Sequence, residues 1–250
     1  MKDKHLLEVE VILLHTQWLA PRRWLNETAR IAERGIEKEI SLMQRELSLT
    51  PTTGKGLDKR ATGKGFDEQA KKRFQIVMKR DLLMGPCKTA IRSSTLVMAF
   101  GVMENLLSKI CEAFADNKLS WPAKNSRIEI RYYDLKGEYT LDRLQKYLSK
   151  VVGIQLPPFF ESEARLLSIL RNAFVHQMGV IPRDSKNEIE KILRRKGSNC
   201  KLIFSDIVMG KLGHNATRFK VTLGKTFVEH MLDSMSVMFE ELRATISTVQ

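Results

Sequence analysis

The sequence predicts an all-α protein with an N-terminal helical extension and one small β-hairpin just before its last helix. Three observations support this fold class. Apolar residues recur every three to four positions over most of the chain, which is the spacing of a buried helix face. Strand-like alternation is confined to two short segments within residues 201–224. No apolar run approaches the roughly 18 residues that a membrane span needs, so no transmembrane span is expected.

The chain is predicted to divide into three parts. Residues 1–49 form an N-terminal helical segment, and Pro21 is expected to break or kink it because proline lacks an amide hydrogen. Residues 50–69 are rich in glycine and lysine and poor in large apolar side chains, which is typical of a flexible basic linker. Residues 70–250 form the main helical domain.

Within residues 70–250 the elements follow from local patterns. A long buried helix is predicted over 70–115 from the apolar positions Leu96, Phe100, Met103, Leu107, Ile110 and Phe114. The stretch "YTLDRLQKYLSKVVG" predicts a shorter helix that ends at Gly153. The stretches "KLIFSDIVM" and "RFKVTLG" predict a hairpin, and "KTFVEHMLDSMSVMFEELRATI" predicts the final helix.

Charge is the strongest global signal. Forty-two basic residues stand against 29 acidic ones, which gives a net charge of +13. Residues 51–80 carry nine basic and three acidic side chains, and residues 183–201 carry seven and three. Such an excess favours polyanionic partners, among which nucleic acid comes first. A protein that is merely basic remains the plainer alternative.

The stretch "SILRNAFVHQMG", residues 168–179, belongs to a helix predicted from about residue 161 to 178. On a helical wheel, Ser168, Arg171, Asn172 and His176 share the polar arc, which faces away from the leucines of the core side. A histidine at such a place is more often a solvated residue that suits the helix dipole. An arginine beside it favours a site, because a guanidinium group binds phosphate well.

The hexamer "RNAFVH", residues 171–176, resembles the Arg-x4-His motif of HEPN domains. The long apolar helix around Glu104, the "KGEYTLDRLQKYL" helix and the motif helix ending in "HQMG" also occur in the order of those domains. The resemblance covers roughly residues 70–250 and implies a HEPN-like helical bundle.

Many HEPN domains are metal-independent endoribonucleases of toxin–antitoxin, abortive-infection and other defence systems. The resemblance implies that Arg171 and His176, with Asn172, are catalytic, that the protein dimerises so that two motifs face each other, and that no metal or cofactor takes part. Some toxin members carry a tyrosine two residues before the histidine, as an adenylylation target. Phe174 stands there in this chain, so that form of regulation is not expected.

Other residues are assigned supporting roles. Lys191, Arg194, Arg195 and Lys196 are candidates for binding the RNA backbone, although a charge run is usually only a solvated surface. Glu104 is a candidate for orienting Arg171, or it is simply the polar face of its helix. The expected partners are RNA, a second copy and a possible antitoxin or defence-system protein, with no membrane. Few cysteines, with Cys87 and Cys111 in apolar surroundings, favour a cytoplasmic protein with reduced thiols.

A second function class stays open. Some HEPN domains do not cleave RNA, so the chain is alternatively a non-catalytic module that dimerises or binds RNA or a partner protein. A DNA-binding role ranks last, because no helix-turn-helix with a polar recognition face can be recognised in the sequence.

Overall fold

The computed structural model describes residues 2–49, 64–116, 130–195, 202–207 and 218–248. The structure is dominated by helices and contains one small antiparallel sheet, which confirms the all-α class. The helices are α1 (Lys2–Leu49), α2 (Lys64–Leu82), α3 (Lys88–Asp116), α4 (Thr140–Lys146), α5 (Glu163–His176), α6 (Arg183–Arg195) and α7 (Lys225–Thr248). The strands are β1 (Val180–Pro182), β2 (Leu202–Ile207) and β3 (Arg218–Leu223).

Pro21 was predicted to break or kink the N-terminal helix; helix α1 runs unbroken through it, so the break does not occur. Proline removes one backbone hydrogen bond, which a long helix tolerates when its neighbours are held in place. Trp18 and Leu25 on either side are buried in the core and hold the helix there.

The observed bounds of the elements between residues 50 and 116 also differ from the predicted linker and long helix. Helix α2 begins at Lys64, so residues 64–69 are helical, while residues 50–63 lie outside the described residues. Helices α2 and α3 are joined by a π-helical turn, Leu83–Cys87, which contains Pro86. A proline inside a helix cannot donate to the preceding turn, and a π turn accommodates that missing bond.

The chain separates into two compact units. The main unit comprises Met1–Asn26 with Ser93–Gln250, and the second unit comprises Glu27–Arg92. The division therefore falls within α1 and α3 and differs from the predicted three-part division, because each of these long helices contributes to both units.

The core of the main unit is built from α3, α4, α5 and α7 together with the start of α1. Its largest fully buried side chains are Trp18, Phe100, Phe114, Tyr147, Phe227 and Phe239. The Trp18 indole Nε1 donates a hydrogen bond to Ser236 Oγ at 2.9 Å, and its ring lies 5.5 Å from the Phe239 ring. Burial of these large rings makes the main unit a well-packed domain.

The sheet has the order β1-β3-β2, with both pairs antiparallel. The β2–β3 pair is the predicted hairpin, and it aligns Leu202 with Leu223 and Ile207 with Arg218. Strand β1 was not predicted, since three residues that follow a glycine carry no alternation signal. It links the end of α5 directly to the sheet.

The second unit pairs the later part of α1 with α2 and the first residues of α3. Four ion pairs connect these segments in antiparallel order: Glu33–Arg92 at 2.6 Å, Glu37–Lys88 at 3.2 Å, Glu39–Lys79 at 3.0 Å and Glu46–Lys72 at 3.0 Å. Among its apolar side chains, Ile40, Met43 and Ile76 are buried.

By length and composition alone, the helical run Ala70–Asp116 is apolar enough to cross a membrane. Half of its most apolar window is buried inside the protein, and the core helix of a globular domain passes the same test. This one run is weak support for a span among the described residues. The expected absence of a membrane partner stays a prediction.

Candidate functional site

Helix α5 carries the motif and is fixed by its buried face. Leu166, Leu167 and Leu170 are at most 1% exposed, so the helix cannot rotate without exposing them. It begins at Glu163, after a 3-10 turn over Pro158–Glu161, and ends at His176. The predicted helix was therefore about two residues too long at each end.

The end of α5 is closed by a left-handed turn. Gln177 N and Gly179 N both donate to the Ala173 carbonyl oxygen at 2.9 Å. Met178 has a φ of 51° and Gly179 a φ of 79°, and a Cβ at position 179 would lie 2.8 Å from Phe174 Cε1. Glycine is therefore required for both its backbone angle and its lack of a side chain.

The same turn ties the helix to the sheet. Val221 N of β3 donates to the Gly179 carbonyl oxygen at 2.8 Å, directly after the last turn of α5. The backbone that presents His176 is thus held from both sides, by the leucine face of the helix and by the strand.

Arg171, Asn172 and His176 come together at the exposed end of α5. Arg171 Nη1 donates to Asn172 Oδ1 at 3.0 Å and lies 3.4 Å from His176 Nε2. Asn172 and His176 are exposed, while Arg171 is half-buried. The arginine, which lies further round the wheel, thus contacts both neighbours. We call these three residues the polar trio.

The contact between Arg171 and His176 depends on the imidazole tautomer. Nε2 accepts a hydrogen bond from the guanidinium group only when it carries no proton, in which case Nδ1 holds the ring hydrogen. Once the guanidinium group turns from Nε2 to an anionic group, the neutral imidazole can accept a proton at that nitrogen.

Glu104 on α3 lies within electrostatic range of the trio. Burial raises the pKa of its carboxyl group, and the Arg171 and Arg143 guanidinium groups act in the opposite direction. Arg143 on α4 was not singled out in the sequence, because nothing in its spacing sets it apart. Its Nε is buried without a hydrogen-bond partner among the described residues. Glu104 thus lies within electrostatic range of both Arg171 and Arg143.

Ser168 was placed on the outward polar arc, and this prediction is wrong. Ser168 is only 4% exposed. Strand β1 and helix α6 pack against α5. A helical wheel shows which residues share a face, but it does not show which other element lies on that face.

The predicted backbone-binding residues lie on α6 or just after it. Lys191 and Arg194 are exposed, and Arg194 Nη2 pairs with Glu190 Oε2 at 3.3 Å. Arg195 is the last residue of α6 and its side chain lies outside the described part, as does Lys196 entirely. In the described ranges, no hydrogen bond or ion pair joins Lys191 or Arg194 to the trio.

No protein-family model, curated protein or solved structure matches this chain. The fold and the site define it as a predominantly helical protein that exposes an arginine–asparagine–histidine cluster at the end of a core helix. In the ranges that the structure describes, no group of three or more His, Cys, Asp or Glu residues is placed to hold a metal ion.

Proposed function

We propose that this chain is a HEPN-like, metal-independent endoribonuclease that acts as a homodimer in a toxin or phage-defence system. The observation that carries the proposal is the polar trio, in which Arg171 Nη1 lies 3.4 Å from His176 Nε2 and 3.0 Å from Asn172 Oδ1. The motif that resembles HEPN domains is thus a connected cluster at the protein surface.

The proposed reaction is attack of an RNA 2′-hydroxyl on the adjacent phosphorus. The P–O5′ bond breaks, a 2′,3′-cyclic phosphate forms, and the 5′-oxygen leaves as a hydroxyl. One group removes the 2′-hydroxyl proton while another protonates the leaving oxygen. A single His176 cannot do both in one pass, whereas two copies supply two imidazoles.

The other members of the trio have electrostatic roles in this proposal. Arg171 stabilises the extra negative charge of the phosphorane-like transition state. Asn172 accepts a hydrogen bond from Arg171 and so fixes the direction of its guanidinium group. Glu104 and Arg171 interact electrostatically, so Glu104 is a candidate for orienting the Arg171 guanidinium group.

Two exposed apolar side chains support a dimer around the trio. Val175 is 46% exposed and Met178 is 90% exposed, and they flank His176 in the sequence. Burial of apolar side chains against a second copy stabilises association. A twofold interface brings the same residues of both copies together, which would place two His176 side chains near one phosphate.

The charge of the chain supports RNA as the substrate. A net charge of +13 attracts a polyanion, and Lys191 and Arg194 on α6 are candidate phosphate contacts. Binding that depends on such contacts weakens steeply with added salt, because the release of condensed counterions then gains less entropy. A cytoplasmic location and an antitoxin or defence-system partner belong to the same proposal.

The test is RNA cleavage in EDTA by the wild-type protein, His176→Ala and Arg171→Ala. We expect His176→Ala to lose about 10²–10⁴-fold in rate, since it removes the proton-transfer group. Arg171→Ala is expected to lose roughly 10²–10³-fold through lost charge stabilisation. His230→Ala on α7, a half-exposed histidine of the same unit, is the matched control and should cleave as the wild type does.

Equal products from all variants would contradict the nuclease and favour the binding module. The dimer is tested separately by sedimentation of the double variant Val175→Asp, Met178→Asp. We expect it to be monomeric and inactive. Val237→Asp on α7, a valine that is 51% exposed, is the control and should keep the dimer.

A further inference from the structure

A cleft of about 240 Å³ opens beside the polar trio in the main unit. Its walls come from α5, from Tyr139 before α4, and from β1 with the start of α6. Asn172 lines the cleft and also accepts the hydrogen bond of Arg171, so the cleft and the trio share a residue. The cleft is small against the roughly 300–1,000 Å³ typical of drug-sized ligands.

Among the described residues, the cleft lining offers no unpaired cation. Arg165, the one charged group in the described part of the lining, donates to Glu188 Oε1 at 2.8 Å and to Glu138 Oε2 at 2.9 Å. Its guanidinium carbon also lies 5.5 Å from the centre of the Tyr139 ring. Two carboxylates therefore offset this arginine, and an anion entering the cleft would meet no free cation.

Neutral hydrogen-bonding groups line the rest of the cleft. They are the hydroxyls of Ser168 and Ser185 and the amides of Asn172 and Gln177. The Ser168 residue is only 4% exposed, and its hydroxyl makes no hydrogen bond within the described residues. Asn172 Oδ1 is engaged by Arg171, which leaves its amide nitrogen to donate elsewhere.

Apolar surfaces complete the walls. Ile169, Ala173, Ile181 and Pro182 line the cleft between the polar groups. A narrow space with apolar walls and neutral donors and acceptors at its edges fits a flat, uncharged heterocycle. A phosphate group instead fits Arg171 at the rim, since no carboxylate makes a hydrogen bond or ion pair with it among the described residues.

We propose that this cleft binds one nucleobase of the RNA next to the phosphate held by the polar trio. The proposal rests on the proposed function, because it takes the ligand to be RNA. Ser168, Asn172 and Gln177 supply hydrogen bonds to the edge of the base, and the apolar walls and Tyr139 contact its faces. The cleft therefore selects which nucleotide lies beside the cleaved bond.

The experiment measures binding to the full-length chain by calorimetry. The probes are the four 3′-nucleoside monophosphates and, as a reference without a base, ribose 5-phosphate. Two variants alter the cleft: Gln177→Ala removes an exposed amide, and Ser185→Phe places a ring in the cleft from the partly exposed start of α6. Their controls are Gln155→Ala and Asn187→Phe, at exposed positions outside the cleft lining.

We expect at least one nucleotide to bind about tenfold or more tightly than ribose 5-phosphate, the scale that contacts to one base supply. Ser185→Phe should abolish that difference and Gln177→Ala should reduce it, while both controls keep it. Arg171→Ala should weaken all five probes by a similar factor, because it acts on the phosphate.

Equal binding of nucleotides and ribose 5-phosphate would overturn the cleft proposal, and so would a base-dependent difference that both cleft variants retain. Neither outcome bears on cleavage in EDTA, so the nuclease can stand without the cleft. Conversely, base-dependent binding that the cleft variants lose, together with unchanged cleavage by His176→Ala, would keep the cleft and remove the proposed nuclease.

Discussion

In the main unit, the Phe239 ring is 2% exposed and packs against a fully buried Trp18, whereas in the second unit the Phe74 ring is 64% exposed. The same contrast holds along α2, where Met78 and Leu82 follow Phe74 at four-residue spacing and are 55% and 54% exposed. The main unit is stabilised by apolar burial, while in the second unit ion pairs connect the helices to one another.

The difference in apolar burial between the two units predicts which of them unfolds locally more easily. Apolar burial contributes free energy in proportion to the buried area, while exposed ion pairs contribute on the order of 1 kcal/mol or less each. Regions with few buried apolar contacts open locally at lower free energy than well-packed cores. We therefore expect amide hydrogens of residues 27–49 and 64–92 to exchange faster than those of α5 and α7.

The largest expected effect comes from a matched pair of phenylalanines. Phe239→Ala should destabilise the main unit by about 3–5 kcal/mol, because it leaves a cavity beside Trp18. Phe74→Ala should change stability by no more than about 0.5 kcal/mol, as exposed substitutions generally do. Urea unfolding measures both. A similar loss of stability in the two variants would show that Phe74 is buried in solution and would contradict the difference in burial between the two units.

An intermediate effect is expected at the ion pair between Glu33 and Arg92, whose side chains are 8% and 18% exposed. Glu33→Ala should raise hydrogen exchange in the second unit, corresponding to a loss of about 1–3 kcal/mol, because a largely buried guanidinium group loses a partner. Glu39→Ala breaks an exposed pair with Lys79 and is the control, with a loss of at most about 1 kcal/mol. Equal effects would mean that burial does not distinguish these pairs.

The smallest effect concerns pH and His15 in the main unit. Burial lowers the pKa of His15 below its ordinary value of 6.5, nearby Arg243 lowers it further, and Glu240 acts in the opposite direction. The folded state thus binds fewer protons than the unfolded state, so stability is full above pH 6.5 and falls as the pH drops below it. His15→Leu should reduce the dependence of the melting temperature on pH below 6.5. An unchanged dependence would contradict the role of His15.

Much of the fold could be predicted from periodic patterns. The apolar positions of α3 and α7 repeat at helical spacing because each helix buries a single face, and those positions are buried. The β2–β3 hairpin was predictable because its strands alternate and are close in sequence. Strand β1 was not, since a three-residue strand acquires its structure from the strand with which it pairs.

The candidate site was predictable in part. Arg171, Asn172 and His176 lie within two helical turns, so their proximity follows from helix geometry alone. The proximity of Glu104 to Arg171 and Arg143 depends on the packing of α3, α4 and α5, and local spacing carries no information about that packing. The burial of Ser168 likewise depends on tertiary packing, in which β1 and α6 contact α5.

The sequence by itself determined the helical class, the polar trio and the glycine that ends α5, because each depends on contacts within a few residues along the chain. Only the tertiary structure decided that α1 continues through Pro21, that Arg165 is paired with Glu138 and Glu188, and that a cleft opens beside the polar trio. These features arise where separate elements meet, and burial and charge there are set by the partner element.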